Sequence, residues 1–273
     1  MKSKIYWIAF SFFILAGAQA KAQIHLGATT AYNATFVLDK GLSEDPRYSS
    51  TYTYNWAPVG FSFGMDFGHK FGLQLESIIS KQGQIYDVIN TAKEIAGTRK
   101  IDVQYVNIPL LMKFMGGGSG SVRGNFNFGP QLGIMSSGIE TLTTSAGNYE
   151  IPEDVDFATI KDDYPSAIDN GNGTYNLPND VPTTTLLDKK LDDFKNTEFQ
   201  LAAAFGLDID LSKHLFLTTQ VRANYSFTDM RNEDIINLLK SGNVSEIFGG
   251  RANFLVGVQV GLHYYFGTLR SFK

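Results

Sequence analysis

The alternating run at residues 253–266, NFLVGVQVGLHYYF, constrains the fold more than any other part of the chain. Phe254, Val256, Val258, Val260, Leu262, Tyr264 and Phe266 share one parity, whereas Asn253, Gly257, Gln259, Gly261 and His263 share the other. Successive strand side chains point to opposite faces, so this is a strand with one large apolar wall and one small or polar wall. A soluble barrel would turn its apolar wall inward and a polar wall to water. Here the small wall suits a crowded lumen and the large one suits hydrocarbon, the pattern of a transmembrane β-strand.

The N-terminus reads as a targeting segment. Lys2 and Lys4 precede an apolar run at 5–16, and Ala18-Gln19-Ala20 and Lys21-Ala22 offer small residues for cleavage after Ala22 or, alternatively, after Ala20. The predicted division is a signal peptide at 1–22 and a barrel at 23–273. An uncleaved anchor would need about 20 apolar residues. Without Lys2, Lys4 and Lys21 the chain has 20 basic against 27 acidic residues, net −7. An acidic balance speaks against nucleic acid as a partner. With Cys 0, disulfides, thiol catalysis and Cys-ligated metals are excluded.

Further dyad repeats fall at about 23–37, 59–67, 71–80, 99–115, 122–135, 199–209 and 215–227, which with the last run makes eight strands. The clearest sets Val59, Phe61, Phe63, Met65 and Phe67 against Gly60, Ser62, Gly64, Asp66 and Gly68. Links after the second, fourth and sixth strands are short; those after the first, third, fifth and seventh are expected to be long. This alternation matches short periplasmic turns and long external loops, with both termini in the periplasm. The expected fold is therefore all-β, an eight-stranded antiparallel up-and-down transmembrane β-barrel. Pro109 removes a ladder donor and predicts a bulge or bend.

Tyr105-Val-Asn-Ile-Pro-Leu-Leu-Met-Lys113, a Gly-rich turn and Phe128-Gly-Pro-Gln-Leu-Gly133 resemble the PorT-like outer-membrane β-barrel family of Bacteroidetes, OmpA-type barrels without a periplasmic domain. That resemblance implies a cell outer-membrane location and, for the family's named member, a part in a secretion and gliding apparatus. Gln259, Gly261, Tyr264 and Phe266 also resemble the C-terminal signal that hands such barrels to their insertion machinery.

By parity the inward ionisable groups include Asp66, Glu76, Lys113, Arg123, Asp208 and Arg222. Three acids with three bases predict a lumen ion-pair network, since charges away from water are tolerated when paired. A structural plug is the preferred reading, and a gate or proton path the alternative. His25, His69, His214 and His263 all fall at the periplasmic end, without HxH or HxxxH spacing, so neither a metal nor a cofactor is expected. No nucleophile and base surround Asp66 and Glu76, so catalysis is not expected either.

Tyr52, Tyr54 and Trp56 mark an external aromatic belt, and Phe67, Phe71, Tyr264 and Phe266 a periplasmic one. The segment 136–196 carries 12 acids against four Lys, net −8. It reads as a solvated, partly disordered lid or as a surface for a basic partner or for cations beside lipopolysaccharide, with the lid preferred. Asp169-Asn-Gly-Asn-Gly-Thr174 lacks calcium-ligand spacing and reads as a turn. Residues 233–240 predict a short helix after Asn232, with Ile235, Leu238 and Leu239 on one face. Together these features predict a non-enzymatic barrel with a plugged lumen, acting through external loops or periplasmic-rim contacts as a secretion accessory or structural protein. Outer-membrane lipid, lipopolysaccharide and a protein at the external loops are the expected partners. A barrel that handles lipid or a small ligand is the alternative.

Overall fold

The computed structural model describes residues 22–116, 120–242 and 244–267. The segment 1–21, and with it nearly all of the predicted signal peptide, lies outside them. Eight long strands run β1 (Ala22–Asp39), β2 (Thr53–Phe67), β3 (Phe71–Ile89), β4 (Ile95–Met115), β5 (Val122–Thr144), β6 (Thr197–Asp210), β7 (Leu215–Ser226) and β8 (Arg251–Tyr265). Each pairs antiparallel with its sequence neighbours, and β1 pairs with β8 from His25↔Tyr265 to Asp39↔Arg251, which closes the ring.

The two walls separate as the dyad repeat requires. Along β8, Asn253, Gln259 and His263 are buried, while Val258, Leu262 and Tyr264 are 51%, 48% and 47% exposed. The inner wall is small because rings occupy the lumen. A Cβ on Gly64 would stand 2.1 Å from His25 ring atoms, and one on Gly27 2.3 Å from His263 Nδ1.

β3, β4 and β5 have 19, 21 and 23 residues, against the roughly 9–11 a tilted strand needs to cross a bilayer. The surplus projects at the end opposite the short turns. There the outward residues change from Ile79, Val106 and Ile134 to Lys81, Gln104 and Ser136, so the apolar band ends at that level. The projecting sheet is widened by Tyr48–Thr51, paired with β3, and Val181–Asp188, paired with β5.

Three expectations are corrected. The link between β3 and β4 is short, residues 90–94, because both strands continue past the band as a hairpin and the polar residues assigned to a loop lie in the ladder. The register holds across Pro109, from Pro109↔Gln131 to Met112↔Phe128; the bulge lies between Gln104 and Tyr105, where β5 carries the extra Ser136. The missing proline donor is thus accommodated without an inserted residue. Finally, 136–196 is neither wholly loop nor a disordered lid. β5 extends to Thr144, and beyond it Gly147–Glu150, Thr174–Leu177 and Ile168–Asp169 form a three-stranded sheet. Helix α2 (Phe157–Asp163), capped by Asp156, packs with this sheet around Tyr149, Ile160, Ala167, Tyr175 and Leu177, all at most 2% exposed. The hydrophobic residues spaced among the acids supply the core that compositional reasoning overlooked.

A one-turn helix, α1 (Lys40–Glu44), follows β1, and α3 (Glu233–Lys240) stands between β7 and β8. Asn232 caps α3 by accepting from Ile235 N at 2.9 Å, and Gly242 follows at φ +70°.

Candidate functional site

Of the sequence-selected lumen residues, Lys113 pairs with Asp208 and Arg222 with Glu76, and a chain of amides links these two pairs, while Asp66 and Arg123 stand apart from them. Near the turn end, Arg123 pairs at 2.5 Å with Asp210, a partner outside the selected set. Asp66 lies 3.8 Å from His25 Nε2. One level up, Lys113 meets Asp208 at 2.7 Å, and Asn125 and Thr218 donate to the same carboxylate at 2.7 and 2.8 Å. In the middle, Arg222 pairs with Glu76; Gln74 donates to Glu76 at 2.6 Å, and Arg222 also donates to Gln259 at 2.7 Å. Asn127, Gln220 and Gln259 continue as an amide chain with links of 2.9 and 3.1 Å.

These contacts follow from parity. Inward positions recur every second residue on each strand, so eight strands bring opposite charges to common levels. Charge taken from water is stabilised here by partners and by neutral amide and hydroxyl donors. The cavities between these lumen walls measure about 10 Å³ beside Asn107 and Arg222 and about 20 Å³ beside Asp66 and Arg123. A single water requires roughly 10–15 Å³, so neither space suits a solute.

His25 and His263 face each other inside the turn end, with ring centroids 5.3 Å apart, and Ser62 Oγ lies 3.2 Å from His263 Nδ1. His69 and His214 sit in the turns. Gln259 and Gly261 face the lumen, whereas Tyr264 and Phe266 face outward, their rings 5.2 Å apart.

A larger polar assembly crosses the barrel mouth. Glu140 receives Arg99 at 2.6 Å and Arg251 at 2.5 Å; Arg251 also holds Asp39 at 2.7 Å. Arg231 pairs with Asp229 and Arg47 with Asp45, each at 2.7 Å. Just below, Tyr105 and Asn253 donate to buried Glu198. Burial alone would raise the Asp229 carboxyl, but bonds from the Arg231 side chain and from the backbone N–H groups of Arg231 and Arg251 hold it below the usual carboxylate range. Sequence reasoning did not select these residues. Parity was a usable signal for Arg99, which lies in the run at 99–115 and shares inward parity with Lys113, but the full lengths of β5 and β8 were needed to reach Glu140 and Arg251.

Above this assembly, α3, residues 244–246, Val181–Asp188 and Tyr164 roof a cavity of about 280 Å³. Tyr52, Tyr54 and Trp56 are 71%, 59% and 58% exposed at the same end, while Tyr264 and Phe266 lie at the other.

Residues 17–232 match the family described as "Outer membrane protein beta-barrel domain". The chain belongs to that family. This is therefore an outer-membrane β-barrel protein, and its long-loop end is the external end. The chain is similar to several solved structures. Neisserial surface protein A shares 10% identity over 88% of this chain and 97% of that one, at TM-score 0.37. OprG from Pseudomonas aeruginosa shares 14% over 90% and 95%, at 0.38. Ail, the attachment invasion locus protein of Yersinia pestis, shares 11% over 89% and 98%, at 0.35. No residue role is carried over from them. No curated protein matches the chain.

Proposed function

We propose that this protein is a non-enzymatic outer-membrane barrel of the PorT-like kind, with a solute-tight lumen and its activity in the external cap or at the periplasmic rim. The packing of the lumen carries this proposal: among the described residues the two cavities between its walls hold about 10 and 20 Å³, whereas one in the external cap holds about 280 Å³. In this proposal residues 1–22 direct export, and Gln259, Gly261, Tyr264 and Phe266 engage the insertion machinery. Outer-leaflet lipid and lipopolysaccharide surround the wall. The folded acidic cap meets a protein partner, as a secretion accessory or a structural contact.

The test is heat modifiability of outer-membrane fractions, combined with protease treatment of intact cells. A detergent-dependent, heat-shifting band cut only in external segments is expected. A soluble band without a heat shift would overturn the proposal.

Lipid handling is a second function that one observation favours. Above Thr35↔Thr53, β1 has no further strand partner on its β2 side among the described residues, because Tyr48–Thr51 pairs with β3 instead; there the Val37 N–H donates to Gln84 and its carbonyl accepts from Tyr86. A groove of about 620 Å³ lies between them, bordered by Phe36, Leu38 and Tyr52. A lipid retained at this groove through detergent exchange, and lost in Leu38→Trp, would support it.

A further inference from the structure

The cap cavity of about 280 Å³ is close to the lower end of small-molecule sites, roughly 300–1,000 Å³. Leu142, Leu186, Leu187, Ile235, Leu238 and Leu239 give it an aliphatic wall. Its charged lining sets four bases, Arg47, Arg99, Arg231 and Arg251, against two acids, Asp163 and Glu246. The other carboxylates that hold these arginines, Asp39, Asp45, Glu140 and Asp229, are not part of the lining. A guest therefore meets guanidinium groups before it meets their counter-charges, and Coulombic attraction falls with distance.

The two lining acids are already engaged. Asp163 accepts from the Ser245 hydroxyl, and Glu246 faces Arg99 at 3.0 Å. Two guanidinium nitrogens, by contrast, keep donor capacity. The Nε and Nη2 of Arg231 are taken by Asp229 and the Gly249 carbonyl, but among the described residues its Nη1 has no carboxylate nearer than Asp39, at 4.0 Å. Arg99 Nη1 lies 3.0 Å from Glu246 without making an aligned hydrogen bond. Both arginines are 2% exposed, so these donors are withheld from bulk water. Arginine only donates, and its bonds to an ionised acceptor are about twice as strong as those to a neutral one. An anionic head on an apolar body therefore gains from both sides of the cavity, whereas an ammonium head finds only acids that are in use.

We propose that this cavity binds a small amphipathic carboxylate, its alkyl body on the leucine wall and its head accepting from Arg231 and Arg99. The proposal rests on the cap being the active region. It does not depend on the lumen being solute-tight, so the two can fail separately.

Calorimetry of the full-length mature protein in lipid nanodiscs tests this with hexanoate, hexanol and hexylamine, using empty nanodiscs as the blank. Hexanoate is expected to bind at least about ten-fold more tightly than either of the others, a difference readable directly in the dissociation constants. Glu246→Gln removes the lining carboxylate that competes for Arg99, which Glu140 still holds, and should tighten hexanoate binding several-fold. Misfolding cannot produce such a gain. Arg231→Lys keeps the charge but loses the guanidinium fork, and should weaken hexanoate about ten-fold. Leu239→Trp should fill the cavity and abolish binding. All three should keep the barrel's heat shift. Equal or tighter binding of hexanol or hexylamine overturns the proposal, as does hexanoate heat no greater than the blank. So does hexanoate binding that fails to tighten in Glu246→Gln, or that is unchanged in Arg231→Lys and Leu239→Trp.

Discussion

Replacing Arg222 by methionine tests the lumen's charge pairing most sharply. Arg222 and Glu76 are 5% and 2% exposed, so neither charge can recover water when its partner is lost. After the substitution Glu76 keeps only neutral donors, Gln74 at 2.6 Å and Gln259 at 3.3 Å. Removing one member of a buried pair costs about 3–5 kcal/mol, because the remaining charge is left uncompensated. Replacing both members with apolar groups of similar volume is often nearly neutral. Arg222→Met should therefore lower the barrel's stability by about 3–5 kcal/mol, and Glu76→Leu combined with Arg222→Met should restore most of the loss. Urea unfolding in lipid vesicles, read from the folded and unfolded gel bands, gives both values. A loss below about 1 kcal/mol for Arg222→Met, or a double variant as unstable as the sum of the singles, would refute burial of an essential pair.

Other perturbations separate wall, cap and rim. Phe63→Asp should impair folding into vesicles, because Phe63 faces hydrocarbon; Ser62→Asp should be milder, since its carboxylate would face His263. Equal defects would overturn the inside and outside assignment. Tyr175→Ala removes a ring 5.6 Å from Tyr149 and should cost about 3–5 kcal/mol within the cap. New surface cleavage between 147 and 177 with an unchanged heat shift is its signature. The Asp229 carboxyl is depressed in the folded protein, so its contribution is complete above the ordinary carboxylate pKa of about 3.9 and is lost as pH falls through the lower folded value. Hydrogen exchange in 227–250 should therefore be steady above about pH 5 and rise, beyond the intrinsic trend, only in stronger acid.

The sequence made the transmembrane wall legible because one parity had to meet lipid. Phe63 and Ser62 could be assigned to opposite sides without coordinates, and Glu76 and Arg222 to one lumen. It was less informative about which charges meet. Pairing depends on the stagger of neighbouring strands, so Arg123 meets Asp210, while Asp66 comes no closer than 3.8 Å to His25 Nε2. The mouth assembly was hidden for a related reason: Glu140 and Arg251 lie beyond the runs read as strands at 122–135 and 253–266, so Arg99, at the very start of the run at 99–115, had no visible partner. In the cap, Tyr149, Ile160 and Tyr175 are separated by polar residues and form a core only after three short strands and a helix fold back. No local period marks such a core. Asn232, by contrast, identified α3 because a cap is a local device.

The central claim is a solute-tight barrel, and planar-bilayer recording of the purified, heat-shifting protein tests it most directly. Insertion without discrete conductance steps is the result expected from the paired lumen. Reproducible unitary currents that scale with protein added, and survive removal of the external segment 146–180, would contradict it.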